Sequence, residues 1–334
     1  GQLFLLLALL SLPMMLFQAT TTQTDLLASF FFLSFILFAL LIIQTEASFK
    51  TNFIFLALSF TLGILTKYHI AIFAAPIVFY VLFELIKKKN NKNTIFAFLF
   101  SCLTIAIILV PLFARNIYFF ETITGKDLFD ENATIVNSTI SLQNMISNNF
   151  KHIIDFISIP INGYNSLLFS LNHTLHNIIG VSENMPGNNW AGEPFTVNNY
   201  LNEDTAGSLV HGLLIILSLV LVFKSKNKTK LLLLFFYCFI VFSLYGLLFR
   251  YTPFDIRLLL PILLFMIIIS TYIIYTTVTN KLIINGMMLL FFIISAFPVY
   301  FNRAKPIIGN PFYLRRVLTN TPKGDIANTS LALL

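Results

Sequence analysis

The residues of this chain whose types and places could do chemistry are polar side chains at the ends of long apolar runs. They are Gln23 and Asp25, Lys67 and His69, Arg115 and Asn116, Glu203, Asp204 and His211, and Arg250, Asp255 and Arg257. Asp25 stands apart, because the runs Leu3 to Phe17 before it and Leu26 to Ile43 after it carry no charge. An ionisable group between two such runs is a functional candidate. Several cations and a few carboxylates on one rim suit an anion that reaches in from the bilayer, and a phosphate carried on a lipid is such an anion. Each residue also has a plainer reading. Lys67, Arg115 and Arg250 can snorkel to the interface, and Asp255 and Arg257 can form a local ion pair across one turn.

The elements that must position these residues are membrane spans. With 57% hydrophobic residues, 10% charged residues and a mean hydropathy of +0.84, the chain is not a soluble domain. The apolar stretches run long, as helical spans do, and lack the short alternating segments of a barrel. The expected fold is an all-α polytopic membrane protein with about nine transmembrane helices, near 2–17, 25–44, 52–66, 69–86, 94–114, 209–223, 231–249, 257–275 and 282–300. Lysines recur in the connections 45–51, 87–93 (KKKNNKN), 224–230 (KSKNKTK) and 276–281. Those connections fall on one side, which the positive-inside tendency makes cytoplasmic. The turns 18–24, 66–68 and 250–256, the segment 115–208 and a tail 301–334 are then extracytoplasmic. The cytoplasmic lysines account for part of the net charge of +7, so nucleic acid is not the implied partner.

The layout reads as transmembrane helices over 1–114, an outer segment over 115–208, further transmembrane helices over 209–300 and the tail. Within the outer segment, Ile140, Met145, Ile146, Phe150, Ile153, Ile154 and Ile157, then Leu167, Leu168, Leu171, Leu175 and Ile178, recur near helical spacing. Two amphipathic helices lying on the outer membrane face are expected there. The turn-rich stretch 183–208, which holds the single Trp190, reads as a loop closing over a site. Cys102 and Cys238 both fall in spans and read as packing residues. Asn132, Asn137 and Asn172 begin glycosylation sequons that arise readily by chance in an Asn-rich chain. No positively charged segment precedes the first apolar run, so the expectation is a chain truncated at its N-terminus, lacking a first span and first outer loop.

Five ordered motifs resemble the glycosyltransferase family 39 type of the GT-C superfamily, which includes aminoarabinose transferases of lipid A and protein O-mannosyltransferases. They are QATTTQTDLLASFF (18–31), GILTKYHIAIFAAP (63–76), VPLFARNIYFFETITG (110–125), NEDTAGSLVH (202–211) and FRYTPFDIRLLLPILLF (249–265). A bacterial subgroup with Q-x-D at the first turn, E-D-x-A-G-[NS] before the re-entry span and R-L-x-L-P after the late turn is especially similar.

The resemblance implies a GT-C-like bundle in a bacterial plasma membrane, with its site on the extracytoplasmic face. The implied enzyme is a hexosyl- or pentosyltransferase that moves a sugar, with inversion, from a polyprenyl-phosphate donor to a lipid, glycan or protein acceptor. Lys67, Arg115 and Arg257 would then meet the charge developing on the lipid phosphate. Gln23, His69, Asn116, Glu203 and Asp204 would line the substrate site. Asp25 matches the second acidic position and would orient the acceptor, the base or a bound divalent metal. The main base is expected upstream of residue 1, which implies that this polypeptide alone is inactive. The alternative from another class is a transporter or flippase for a lipid-linked or anionic solute. A scaffolding subunit is a third, with no need of so many polar groups on one rim.

Overall fold

The computed structural model describes residues 1–44, 48–87, 91–123, 136–198 and 201–301. The protein is a helical, multi-pass membrane protein, and seven of its helices are long and apolar enough to cross a bilayer. In chain order, the spanning part comprises α1 (Gln2–Leu10), α2 (Pro13–Ala19), α3 (Asp25–Gln44), α4 (Phe49–Thr66), α5 (Ile70–Lys87), α6 (Asn91–Thr104) and α7 (Val110–Phe120). Then come α8 (Leu142–Ile157) and α9 (Asn162–Ile179) of the outer segment, α10 (Leu209–Leu221), α11 (Lys228–Leu248), the short α12 (Asp255–Leu258), α13 (Leu260–Thr277) and α14 (Lys281–Phe301). Of the expected tail, residues 302–334 lie outside the described residues, as does Asn132.

The expected single span over 2–17 is instead a helix pair bent by 78°. Pro13 explains the break, because it has no N–H to give and its ring clashes with the carbonyl four residues back. It pushes Leu12 out of the helical region, to φ −72° and ψ 114°, and itself starts α2. The carbonyl of Ala8 left open by the break accepts from Ser11 Oγ at 3.0 Å and lies 2.8 Å from His211 Nε2 of α10. His211 is therefore a structural plug and not part of the rim. Pro111 is handled differently. A π-turn over Ile105–Leu109 widens the helix just before it, so α6 and α7 run on as one apolar helix, Lys92–Phe120.

α13 is the axis of the bundle: 67% of its apolar window is buried, against 17% for the α6–α7 helix and for α14. It touches α1, α3, α10 and α11. In lipid the drive for this packing is close contact and a few polar bonds, not exclusion of water. Ala28, Ser29 and Ala39 on α3 are buried small residues of that kind, and Ser218 of α10 donates to Ser270 of α13 at 2.9 Å. Peripheral Phe79, Phe98, Ile107 and Phe292 remain exposed, as lipid-facing side chains should.

Helices α8 and α9 form where expected, but their buried faces are largely polar. α8 turns Asn144, Asn148, Lys151, His152 and Asp155 inward, a stripe at helical spacing, while Leu142 and Ile153 stay exposed. α9 buries Asn165, Asn172 and His176 beside Leu168, leaving Leu167, Leu171 and Ile178 outward. The polar stripe answers open backbone groups at the end of α11. Asn148 donates to the carbonyls of Gly246 at 3.0 Å and Phe249 at 2.8 Å. Gly246 admits this approach, since a Cβ there would run into the Asn149 side chain and come within 3.3 Å of the Met145 carbonyl. A small apolar cluster of Ile154, Leu168, Phe195 and Val197 closes over Tyr251 from the 250–256 turn, so the segment is built onto the bundle. Asn137 and Asn172 are buried and hydrogen-bonded, which fits structural roles and not glycan attachment.

Candidate functional site

Asp25 is the first residue of α3, where the exposed N–H groups of a helix start favour a negative charge. Its side chain is 1% exposed. Lys67, the residue that ends α4, places Nζ 3.2 Å from Asp25 Oδ1 and is itself 26% exposed. That contact lacks hydrogen-bond geometry, and neither Asp25 oxygen has a hydrogen-bond partner among the described residues. A buried carboxylate in that state holds acceptor capacity that the protein does not fill. Gly63 serves the turn that carries Lys67. A Cβ there would press on Ile70 Cγ2 of α5 at 2.9 Å while meeting Phe31 Cβ of α3 at an ordinary contact distance of 3.5 Å, so glycine eases the tight turn from α4 into α5.

A chain of polar contacts runs along the rim beside this pair. Buried Gln18 donates to Gln23 Oε1 at 2.8 Å and to the Glu203 carbonyl at 2.7 Å. Gln23 donates to Asp204 Oδ1 at 2.9 Å, and the same oxygen takes the guanidinium of Arg257. Arg257 also lies over the ring of Phe254. The Asn202 carboxamide accepts from the N–H groups of Asp204 and Thr205 at 3.0 and 2.7 Å, which fixes the turn that delivers Asp204. The four segments around 18–25, 67–69, 202–205 and 250–258 therefore meet at one place.

His69 sits between the two contact sets. It is buried, its ring lies 5.1 Å from that of Phe73 and 6.4 Å from that of Tyr245, and its Nε2 has no hydrogen-bond partner among the described residues. The Tyr245 hydroxyl donates to Asp255 Oδ1 at 2.7 Å. Asp255 is thus not the ion-pair partner of Arg257. It is 1% exposed and spends its oxygens on Tyr245, on the Thr252 N–H at 2.6 Å and on the Thr252 hydroxyl at 3.0 Å.

Arg115 does not join the other cations. It is exposed, and its guanidinium donates to Asn116 Oδ1 at 3.2 Å. Asn116 is the buried partner of the two, donating to the Tyr68 hydroxyl at 2.9 Å and the Ile123 carbonyl at 3.0 Å. Successive residues of a helix point about 100° apart, since 3.6 residues make a turn, so α7 can turn Asn116 to the Lys67–His69 turn or Arg115, not both.

Behind the rim lies a layer of titratable groups that the apolar pattern of α8 did not announce. Burial pulls Lys151 down to about 7, opposed by Glu183, Asp255 and Asp155. Its ammonium donates to Asn189 Oδ1 at 2.6 Å and lies 5.4 Å from the centre of the Tyr251 ring. Burial lifts Asp255 to about 7 and holds the Asp155 carboxyl well above the usual range, against a hydrogen bond from Tyr251 at 2.6 Å. His152 is held at about 3 by burial and by Lys151. It is therefore neutral, and its 3.5 Å approach to Asp255 is no ion pair. The readable signal was the polar set 144, 148, 151, 155, which repeats at helical spacing.

Among the described residues, no group of three or more His, Cys, Asp or Glu side chains could hold a metal ion. What the arrangement offers is an unfilled buried carboxylate beside one lysine, an arginine held on an acidic residue, and an imidazole nitrogen with no hydrogen-bond partner among the described residues. Compared with protein-family models, with curated proteins and with solved structures, the chain matches none.

Proposed function

We propose that this chain is a membrane glycosyltransferase that takes a sugar from a polyprenyl-phosphate donor and passes it to an acceptor hydroxyl at the rim. The observation that carries the reading is Asp25, a buried carboxylate with one oxygen facing Lys67 and neither oxygen hydrogen-bonded. An acceptor hydroxyl donating to Asp25 would fill that capacity and be oriented for attack. Lys67 and Arg257 would be the cations that meet a phosphate leaving group, whose charge grows in the transition state where water is scarce. Arg115, exposed and bonded to Asn116, is left outside this set. Asp204 and Gln23 hold Arg257 in place, and Glu203 supplies a carbonyl that fixes Gln18.

The transporter or flippase reading has one observation of its own, the broken α1–α2 pair, since transporters bind solute at interrupted helices. Such sites lie near the bilayer midplane. Here the break is plugged by His211, the third residue of α10 from its rim end, so it sits near the interface with its open carbonyl already used.

The test is reconstitution of the full-length protein in liposomes with a radiolabelled sugar on polyprenyl phosphate and a panel of acceptors. Transfer of label to an acceptor supports the transferase. Movement of the intact lipid-linked sugar between leaflets without transfer supports the flippase and overturns the proposal.

A further inference from the structure

The end of the bundle away from the rim holds an apolar groove that the rim chemistry does not use. It has a volume of about 320 Å³ and lies between α3, α4, α5 and α6. Ala57, Val81, Leu85 and Ala97 form buried walls, while Leu82 and Phe98 stand exposed at its mouth on the lipid-facing surface. Thr61 and Thr104, which also line it, turn their hydroxyls to the Ala57 and Ser101 carbonyls of their own helices. Such a wall gives water little to bind, so the space does not favour water. A hydrocarbon chain entering sideways gains dispersion contacts with the wall and gives up no hydrogen bonds.

Length and charge narrow the occupant. Along α6 the groove extends from Thr94 to Ile105, a rise of roughly 16 Å at 1.5 Å per residue. That is about half of a ~30 Å hydrocarbon core, so the groove is one leaflet deep. It ends where the π-turn at Ile105–Leu109 begins. Among the described residues, exposed Lys87 follows the lining residue Ile86, exposed Lys92 lies two residues before the lining Thr94, and exposed Lys50 lies three before the lining Phe53. The Lys50 ammonium lies 5.6 Å from the centre of the Phe96 ring, on α6 itself. We infer that the groove seats one acyl chain of an anionic phospholipid from the leaflet on the lysine side, with its headgroup phosphate among Lys50, Lys87 and Lys92. Basic residues beside a span draw anionic headgroups in this way, and the groove converts that attraction into a defined site.

The experiment uses the purified protein in nanodiscs doped with phosphatidylglycerol or phosphatidylcholine carrying a photoactivatable diazirine midway along one acyl chain, with crosslinks mapped by mass spectrometry. Phosphatidylglycerol should label peptides covering 78–86 and 94–105 roughly tenfold more than phosphatidylcholine does, with no such preference at the lipid-facing surface of α14. Ala97→Trp should fill the groove and abolish this labelling. Ala57→Phe fills it from the opposite wall and serves if the first variant fails to give a monodisperse protein. Lys50→Gln, Lys87→Gln and Lys92→Gln together should bring phosphatidylglycerol down to the phosphatidylcholine level. Labelling of the groove no stronger than that of α14, labelling that survives a folded filling variant, or equal labelling by the two lipids would each overturn the assignment.

Discussion

Removing each member of the Asp25–Lys67 pair separately distinguishes a functional carboxylate from a structural ion pair. At 3.2 Å and an effective dielectric near 20, two unit charges attract by about 5 kcal/mol. Asp25 has given up its hydration to be there, and Lys67 at 26% exposed is partly screened by water, so the net coupling should be smaller, about 2–4 kcal/mol. The two single losses are unequal. Lys67→Met strands a buried carboxylate that has no hydrogen bond to fall back on, which should destabilise the protein by about 2–4 kcal/mol and lower its apparent melting temperature by several degrees. Asp25→Asn strands a lysine that can turn to water, so stability should stay within about 1 kcal/mol. The double variant should match Asp25→Asn, because the stranded charge is gone. Function should run the other way. In the full-length protein Asp25→Asn keeps the shape but loses a charged hydrogen-bond acceptor worth roughly 1.5–3 kcal/mol, and should slow transfer by about ten- to a hundredfold or more. Thermal unfolding in detergent followed by fluorescence-detected gel filtration, with transfer measured in liposomes, reads both effects. Unchanged turnover in a folded Asp25→Asn protein refutes the functional role. Unfolding as severe as that of Lys67→Met refutes the reasoning about the pair.

The titratable layer under α8 gives a pH prediction. A carboxyl lifted from 3.8 to about 7 in the folded state binds more protons folded than unfolded, so its stabilising contribution is complete below pH 3.8 and is lost as pH rises towards 7. The shift corresponds to at most about 4 kcal/mol, and Asp255→Asn should flatten the fall in melting temperature between pH 4 and 7. A slope unchanged by that variant would mean the carboxyl is ionised throughout. Gly246→Val should lift α8 from α11 and cost about 1–3 kcal/mol by overpacking, detectable as earlier proteolysis within 136–198. The sidedness read from the lysines is checked by thiol labelling in intact cells on a background with Cys102 and Cys238 replaced. Thr174→Cys, exposed on α9, should react with an impermeant reagent, and Lys226→Cys should not. The reverse pattern would place the rim on the other side.

The spans were legible because an uncharged run of fifteen to twenty apolar residues has few other places to be, and the turns carried the polar residues that mark where they end. The bend at Pro13 was also present in the sequence. It was missed because hydropathy averages over a window, whereas the break is a steric event between one proline ring and one carbonyl. Arg115 shows the limit of reading a rim from span ends. Its place along the axis is that of a rim residue, but its direction is set by the helical phase of α7, and the neighbouring Asn116 takes the inward position.

The polar packing face of α8 and α9 has a cause that apolar counting does not reach. In water, an amphipathic helix on a protein turns its apolar stripe inward, and reading the stripe gives the packing. At a membrane surface the bilayer competes for that stripe, and the protein beneath presents something lipid cannot satisfy, the open carbonyls of Gly246, Leu247 and Phe249 at the end of α11. Asn137 and Asn148 answer them, so the polar stripe becomes the packing face and the apolar one is free for lipid. The same demand draws Lys151, His152 and Asp155 into the interior behind the rim. Their shifted ionisation is therefore a result of α8 covering a helix end, which leaves Asp25, whose oxygens meet no such backbone demand, as the buried carboxylate of the rim with acceptor capacity to spare.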